Sequence, residues 1–455
     1  MRHQDIRKQL GASVDHLLQE DGLPVALRPY QRETLASVVR WLNDPAGTQR
    51  GYIAHATGLG KTLLFSSLVR AAVGLRSLIV VPTRVLVEQT VQMLHPLTGG
   101  MIAHWSSVPN IENGRGETIA SIGHQYADIL VTTDESFIRY WGQMRKEFDP
   151  DLIIWDECHT AYAGKPQRAL AAFEHPVVIG CTATPDYLSA VGKKGCISVK
   201  RANGAALFQE PELTAAQHFQ HQIDERDLAW GIGNAWLSPL AWRSIDIAAE
   251  LDHVPLTKTD AGWDFNQMAL QKVMSRHWPS VIQAVLAAYR DNNPYAVAGK
   301  RAYALCPGVE NALQLARDLN QAGVPSECLS GDTDHKRRRL YLRQFNEGEI
   351  KFLSSVMVLR EGWDAPDAEV CWMLRPTYSY VLYVQGIGRV LRKSPTNPHK
   401  VAMVIDPSFR GTTLSPLNVP ALFLPPPHFP PVGGSANGAQ VILRPSAQPQ
   451  ASSSR

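Results

Sequence analysis

Two parallel-sheet α/β blocks in tandem are the expected architecture of this 455-residue chain. Short apolar runs rich in β-branched and aliphatic residues alternate with helix-compatible segments, and they do so twice. That is the sequence form of parallel strands covered by helices on both faces. A glycine-rich turn joins the first such run to an amphipathic helix. A tryptophan-rich stretch separates the blocks, and a proline-rich stretch follows them.

Residues 1–23 read as a short polar helical extension ending near Asp21-Gly22. The first block, 24–200, offers the strands Gly51–Ala54, Ser77–Val81, Ile129–Thr132, Leu152–Trp155 and Val177–Cys181. Residues 201–292 hold five of the eleven tryptophans (Trp230, Trp236, Trp242, Trp263 and Trp278) and read as a helical insert or linker. Indole faces stacking on bases are the other use for such a stretch. The second block, 293–412, offers Ala302–Leu305, Ile350–Ser354, Ala368–Leu374 and Val401–Ile405. Residues 413–455 contain nine prolines, two arginines and no acidic residue, so a disordered tail is expected there.

A hydrophobic content of 44% supports more than one core and excludes a small stapled scaffold. Forty-five Lys+Arg against 42 Asp+Glu leave a net charge of +3, so any polyanion surface must come from local clustering. None of the six cysteines forms a C-x-x-C pair, which excludes a zinc ribbon and a disulfide framework in favour of reduced, buried thiols. No apolar run approaches the ~18 residues of a membrane span, and no apolar segment follows the first residues. A cytoplasmic location with no membrane partner is expected.

Gly58-Leu59-Gly60-Lys61-Thr62 follows a strand and opens a helix, the setting of a phosphate-binding loop. There, backbone N–H groups cradle phosphates, Lys61 reaches the β/γ oxygens and the Thr62 hydroxyl binds Mg²⁺. The strict G-x-x-x-x-G-K-[ST] spacing fails, because position 55 is His rather than Gly. Leu152-Ile153-Ile154-Trp155 then runs into Asp156-Glu157, a strand ending in two carboxylates. Metal-assisted phosphoryl transfer uses such a pair: Asp156 to hold Mg²⁺ and Glu157 to orient and deprotonate the attacking water.

Asp156-Glu157-Cys158-His159, together with Ala56-Thr57-Gly58-Leu59-Gly60-Lys61-Thr62, resembles the core of the superfamily 2 DEAD/DEAH-type helicases. The resemblance implies two RecA-like lobes and nucleotide contacts from Thr57, Gly58, Leu59, Gly60, Lys61 and Thr62. Leu27-Arg28-Pro29-Tyr30-Gln31-Arg32 resembles an adenine-reading motif, with Gln31 on the base and Arg28 or Tyr30 packed nearby. Pro82-Thr83-Arg84 and Thr132-Thr133 resemble nucleic-acid contact motifs. Thr182-Ala183-Thr184 resembles the motif whose hydroxyls couple the nucleotide site to the nucleic acid.

In the second block, Gln385-Gly386-Ile387-Gly388-Arg389-Val390-Leu391-Arg392 resembles the arginine-finger motif, with Gln385, Arg389 and Arg392 as its working residues. Arg389 and Arg392 are three apart, so a helix is expected to place both guanidiniums on one face. From there, with the blocks facing across a cleft, they would reach a γ-phosphate. Arg360-Glu361-Gly362-Trp363-Asp364-Ala365-Pro366 resembles a nucleotide-sensing motif, from which Gly362 and Asp364 carry over. Ser330-Gly331 resembles a backbone-contacting segment, and His335-Lys336-Arg337-Arg338-Arg339 reads as a solvated helix face with one arginine structural.

The matching segments occur in family order and look closest to DNA translocases of the type III restriction-subunit and repair-helicase group. What they imply is an ATP- and Mg²⁺-dependent motor on single-strand or duplex DNA. A non-unwinding translocase and a nucleotide-dependent binding switch are the other readings. No nuclease motif is visible, so a nuclease or methyltransferase partner subunit is the implied companion. Two departures stand out: His55, where a smaller residue is usual, and no residues for the C-terminal zinc module of some repair relatives.

Overall fold

The aliphatic runs become strands of two seven-stranded sheets in the computed structural model. It describes residues 2–19, 26–108, 111–113, 117–119, 123–161, 164–185, 197–200, 206–209, 218–259, 262–290, 296–356, 363, 365–412, 416–423 and 440–443. The chain divides into two units, one formed by 1–187 with 213–227 and the other by 188–212 with 228–455.

The first unit contains β1 (Arg50–His55), β2 (Ser77–Val81), β3 (Ile102–Trp105), β4 (Ile129–Thr133), β5 (Leu152–Asp156) and β6 (Val177–Thr182). Beyond the short antiparallel pair β7 (Ile197–Lys200) and β8 (Ala206–Gln209) of the second unit comes β9 (His221–Arg226). The first sheet runs β3-β4-β2-β5-β6-β1-β9, parallel throughout. The five strands from β4 to β1 are buried almost without interruption, because helices cover both faces. On one face, α1 (Arg2–Gln19), α2 (Pro29–Asn43), α3 (Lys61–Ala71) and α4 (Arg84–Thr98) share a core with Ile53, Ile79 and Ile154. The other face packs Trp155 and Val80 against Phe137 and Met144 of α5 (Asp134–Glu147) and Leu170 of α6 (Gly164–Ala171). The N-terminal helix is therefore part of this core, through Ile6, Leu10, Val14 and Leu17.

The second unit holds β10 (Leu240–Ile247), the hairpin β11 (Leu256–Thr259) and β12 (Gly262–Phe265), then β13 (Ala302–Leu305), β14 (Ser326–Leu329), β15 (Phe352–Ser355), β16 (Val370–Trp372), β17 (Ala402–Phe409) and β18 (Gln440–Leu443). Its sheet runs β14-β15-β13-β16-β17-β10-β18, parallel except for β18.

Two expectations about organisation need correction. Residues 201–292 are not one helical insert: β9 closes the first sheet, while β10 and the helix Gln267–Arg290 belong to the second unit. The strand β9, His-Gln-Ile-Asp-Glu-Arg, buries only Ile223, so polar residues mask its signal. Trp242 and Trp278 are packed inside rather than displayed for stacking. The tail is also not featureless. Leu417 and Val419 are buried, and β18 pairs with β10; residues 413–415, 424–439 and 444–455 lie outside the described residues. No helix among the described residues is long and apolar enough to cross a membrane.

Candidate functional site

Parallel strands present their carboxyl ends along one edge, and loops leaving that edge bring distant segments together. The loop after β1 climbs through Ala56 and Thr57, turns at Gly58 (φ 92°) and enters α3 through Gly60 (φ 75°). Both angles favour glycine. At Gly60 a Cβ would also stand 2.7 Å from Gln31 Nε2. The Lys61 ammonium folds back to donate to the His55 carbonyl at 3.1 Å and lies 4.0 Å from Glu157 Oε1. Thr62 follows in the first turn of α3.

Asp156 is the buried last residue of β5, and its Oδ1 accepts from the Glu157 N–H at 3.1 Å. Glu157 has a φ of 50°, a strained value for a side chain of its size, which turns its carboxylate back toward Lys61. The Thr182 hydroxyl lies 3.4 Å from Glu157 Oε2, and His159 Nδ1 lies 3.3 Å from the same oxygen. Thr184 completes the group: its N–H donates to Thr182 Oγ1, and its hydroxyl lies 3.4 Å from His159 Nδ1. Burial pushes the Glu157 carboxyl up, but the Lys61 ammonium, the His159 ring and the Ala183 N–H outweigh it and hold the group well below the usual carboxylate range. It is therefore ionised across the neutral range.

Tyr30 and Gln31 grip the loop from the first turn of α2, and Arg28, at its N-cap, backs Tyr30. Tyr30 Oη donates to the Leu59 carbonyl at 2.7 Å, and Arg28 Nη1 donates to Tyr30 Oη at 3.1 Å. Gln31 Nε2 lies 3.3 Å from the carbonyls of both Leu59 and Gly60, while its Oε1 accepts from the Arg28 N–H.

Farther along the same edge, Thr83 caps α4 by accepting from Leu86 N, between half-buried Pro82 and exposed Arg84. Thr133 caps α5 by accepting from Ser136 N. The Thr132 hydroxyl instead donates to the Trp105 carbonyl at 2.8 Å and is fully buried. Of this group, Arg84 is the exposed side chain.

In the second unit, the helix Tyr380–Gly388 carries Gln385, whose Oε1 is buried without a hydrogen-bond partner among the described residues. The helix ends before the arginines, which corrects the expectation of one helical face. Arg389 is the residue at its C-terminal cap, and Arg392 lies in a following turn closed by Arg392 N to Arg389 O. Two glycines lower helix propensity here. Gly386 must also stay small, since a Cβ would meet Leu305 Cδ1 at 2.7 Å. Arg389 is 4% exposed and donates to the Trp363 carbonyl. Gly362 and Asp364 lie outside the described residues. Ser330 is buried, Gly331 is exposed, and Arg338, from the helix His335–Glu347, donates to the Ser330 carbonyl at 3.1 Å.

A family model of the type III restriction enzyme res subunit matches residues 24–187. A model of the helicase conserved C-terminal domain matches 287–394. The chain belongs to the superfamily 2 helicases. Within that superfamily it is 25% identical over 390 residues to a Saccharomyces cerevisiae protein that carries the name ATP-dependent helicase IRC3, covering 82% of this chain and 50% of that one. The DNA 3'-5' translocase XPB2 of Sulfurisphaera tokodaii is 24% identical over 404 residues, 85% of this chain and 82% of that protein. A solved fragment described as an HsdR subunit of a type I restriction enzyme from Vibrio vulnificus YJ016 has the same fold. Its TM-score is 0.58 at 19% identity, over 86% of this chain and 65% of that one. The chain spans about half the length of its yeast relative.

A Mg²⁺–nucleotide fits the donor set: one hydroxyl and one carboxylate, Thr62 and Asp156, suit an ion that keeps waters and phosphate oxygens as its other ligands. The Lys61–Glu157 approach is the observation that brings the two loops together. The motifs give His159 no role of its own, and they place Tyr30 beside the base, whereas its hydroxyl holds the Leu59 carbonyl of the loop.

Proposed function

We propose that this chain is an ATP hydrolase that drives movement on, or unwinding of, DNA. The observation that carries the reading is the Lys61–Glu157–His159–Thr182–Thr184 constellation, assembled from the ends of β1, β5 and β6. Lys61 neutralises charge on the β/γ oxygens. Mg²⁺ held by Thr62 and Asp156 would supply further neutralisation of those oxygens. Glu157, kept ionised by Lys61 and His159, orients the attacking water and takes its proton. His159 shares one nitrogen among Glu157, Thr182 and Thr184, so a change at the γ-phosphate is felt at the Thr-Ala-Thr segment. Gln31 with Arg28 reads the adenine edge, and Gln385, Arg389 and Arg392 contribute to hydrolysis from the second unit.

Polymer contact falls to Pro82, Thr83, Arg84, Thr133 and the Ser330-Gly331 turn, with Gly362 and Asp364 sensing nucleotide. Thr132, whose hydroxyl is spent on Trp105, acts by holding that edge in shape. Relatedness to a DNA translocase supports DNA as the polymer, and relatedness to restriction subunits supports a partner protein that cuts or modifies it.

The test is ATP hydrolysis measured with no polymer, single-stranded DNA, duplex DNA and RNA in parallel. Stimulation by DNA, abolished by Lys61→Ala and by Glu157→Gln, is expected, with Glu157→Gln still binding ATP. Stimulation by duplex alone selects translocation without unwinding. Stimulation by RNA alone, or by no polymer, would overturn the DNA motor.

A further inference from the structure

His55 is an anomaly: a buried imidazole at the strand end that feeds the phosphate loop. Its side chain is 0% exposed, and its Nδ1 has no hydrogen-bond partner among the described residues. Burying an imidazole costs free energy unless its remaining polar atom is well used. That atom, Nε2, lies 2.8 Å from Asp224 Oδ2. Burial pushes the His55 pKa down despite Asp224, so the ring is neutral and presents Nε2–H to the carboxylate.

Asp224 stands on β9, the strand that polar residues hid from sequence reading. The same Oδ2 also receives the Thr34 hydroxyl at 2.5 Å and Arg226 Nε at 2.9 Å. Thr34 lies on α2, one turn beyond Tyr30 and Gln31. Arg226 continues the tie: its Nη2 donates to Glu33 Oε2 on α2 at 2.9 Å, its guanidinium lies 5.7 Å over the Tyr30 ring, and its carbonyl accepts from Ala56 N at 2.8 Å. One carboxylate thus joins the helix that carries Gln31 to the strand that launches the loop. Burial raises the Asp224 pKa, but His55, Thr34 and Arg226 outweigh it and bring the group to about 2, so the hub stays charged at neutral pH.

The consequence concerns base selection. Gln31 Nε2 is spent on the Leu59 and Gly60 carbonyls. To meet a base edge it must turn from them, and the grip of α2 on the loop weakens at the moment when register matters. The Asp224 tie, one turn away, is untouched by that turn. We propose that Asp224 is a positioning residue for nucleotide selection: through Thr34 and His55 it holds α2 in register with the phosphate loop, so that adenine nucleotides are preferred. The inference rests on the reading of Gln31 as the adenine contact.

The experiment measures ATP and GTP affinity, with kcat for each, on the full chain and on Asp224→Ala, Asp224→Asn, Thr34→Val and Gln31→Ala. Asp224→Ala and Thr34→Val should lower the preference for ATP over GTP by about tenfold, the scale of a lost buried hydrogen bond to a charged group. kcat for ATP should stay within about threefold. Asp224→Asn keeps an acceptor oxygen and should restore most of the preference. Thr34→Val is nearly isosteric and carries the test alone if Asp224→Ala does not fold. Equal losses for ATP and GTP would mean a merely structural role and would overturn the proposal, as would an unchanged preference in both variants. If Gln31→Ala lowers the preference while Thr34→Val and Asp224→Ala do not, the proposal falls and the adenine reading stands. An unchanged preference in Gln31→Ala removes the adenine contact, and the proposal that rests on it falls with it. A wild type that binds GTP as well as ATP removes both.

Discussion

Asp406 on β17 is a carboxylate taken out of water, 2% exposed, with three donors aimed at it: Tyr383 Oη, Trp242 Nε1 and Val419 N. Burial pushes its pKa up to about 6 even though all three bonds oppose the shift. The folded state therefore holds the proton more tightly than the unfolded chain does. This contribution to stability is fully present below about pH 4 and is lost as pH rises through about 6, on the order of 2–3 kcal/mol. Asp406→Asn keeps an oxygen for the three donors and removes the charge. Thermal melts at pH 7 should show the variant as stable as the wild type or more so, with a flatter profile between pH 4 and 6.5. A melting temperature many degrees lower at pH 7 would mean that the ionised form is the one the fold needs. Residues of this kind are opaque to sequence reading, because nothing around Asp406 in the chain names Trp242 or Val419. Lys61 and Glu157 were legible for the opposite reason: their chemistry is announced by immediate neighbours. His159 and Asp224 fall between, since what each does depends on a partner from another strand.

At the scale of elements, β1, β2, β4, β5 and β6 could be read directly, because a strand buried on both faces must be apolar along its length. Edge strands such as β9 carry no such requirement. The arginine segment shows a different limit: spacing suggested a helix, but glycines at 386 and 388 let it end at Gly388. A buried lysine and Ser238 then hold the backbone at Arg392. Lys400 Nζ donates to the Arg392 carbonyl at 2.8 Å and to the Pro366 carbonyl at 2.6 Å, tying the turn after the helix to the segment before β16. Lys400→Met should fill the space and lose the tie, lowering hydrolysis several-fold while ATP affinity stays within about twofold. Arg389→Ala and Arg392→Ala should lower it much further, toward the roughly 10³-fold lower bound typical of arginine fingers, and the double variant should fall short of the product of the two. Single-turnover hydrolysis, with nucleotide affinity measured separately, decides. Wild-type turnover in the double variant would remove the second unit from the reaction.

For the whole molecule, the proline-rich end is the sharpest disagreement between composition and structure, and it decides where the second unit stops. Composition describes 413–455 as a tail because nine prolines forbid regular structure over most of it. A short strand and a single buried turn need only a few residues, and composition averages them away. The Leu417 N–H donates to the Thr377 carbonyl, the Val419 N–H donates to Asp406, and β18 closes the open edge of β10. Ending the chain after Thr412 would remove all three, leaving Asp406 with one donor fewer and β10 with an unpaired row of backbone groups. The expected result is a melting temperature lower by several degrees, at roughly 2–4 °C per kcal/mol for a unit of this size, with a tendency to aggregate. Ending it after Leu443 keeps every one of these contacts and should melt, and hydrolyse ATP, like the full chain. Comparing the two truncations separates a docked segment from a disposable one. If the chain ending at Thr412 matches the full chain in both measurements, Leu417, Val419 and β18 rest on the second unit without supporting it.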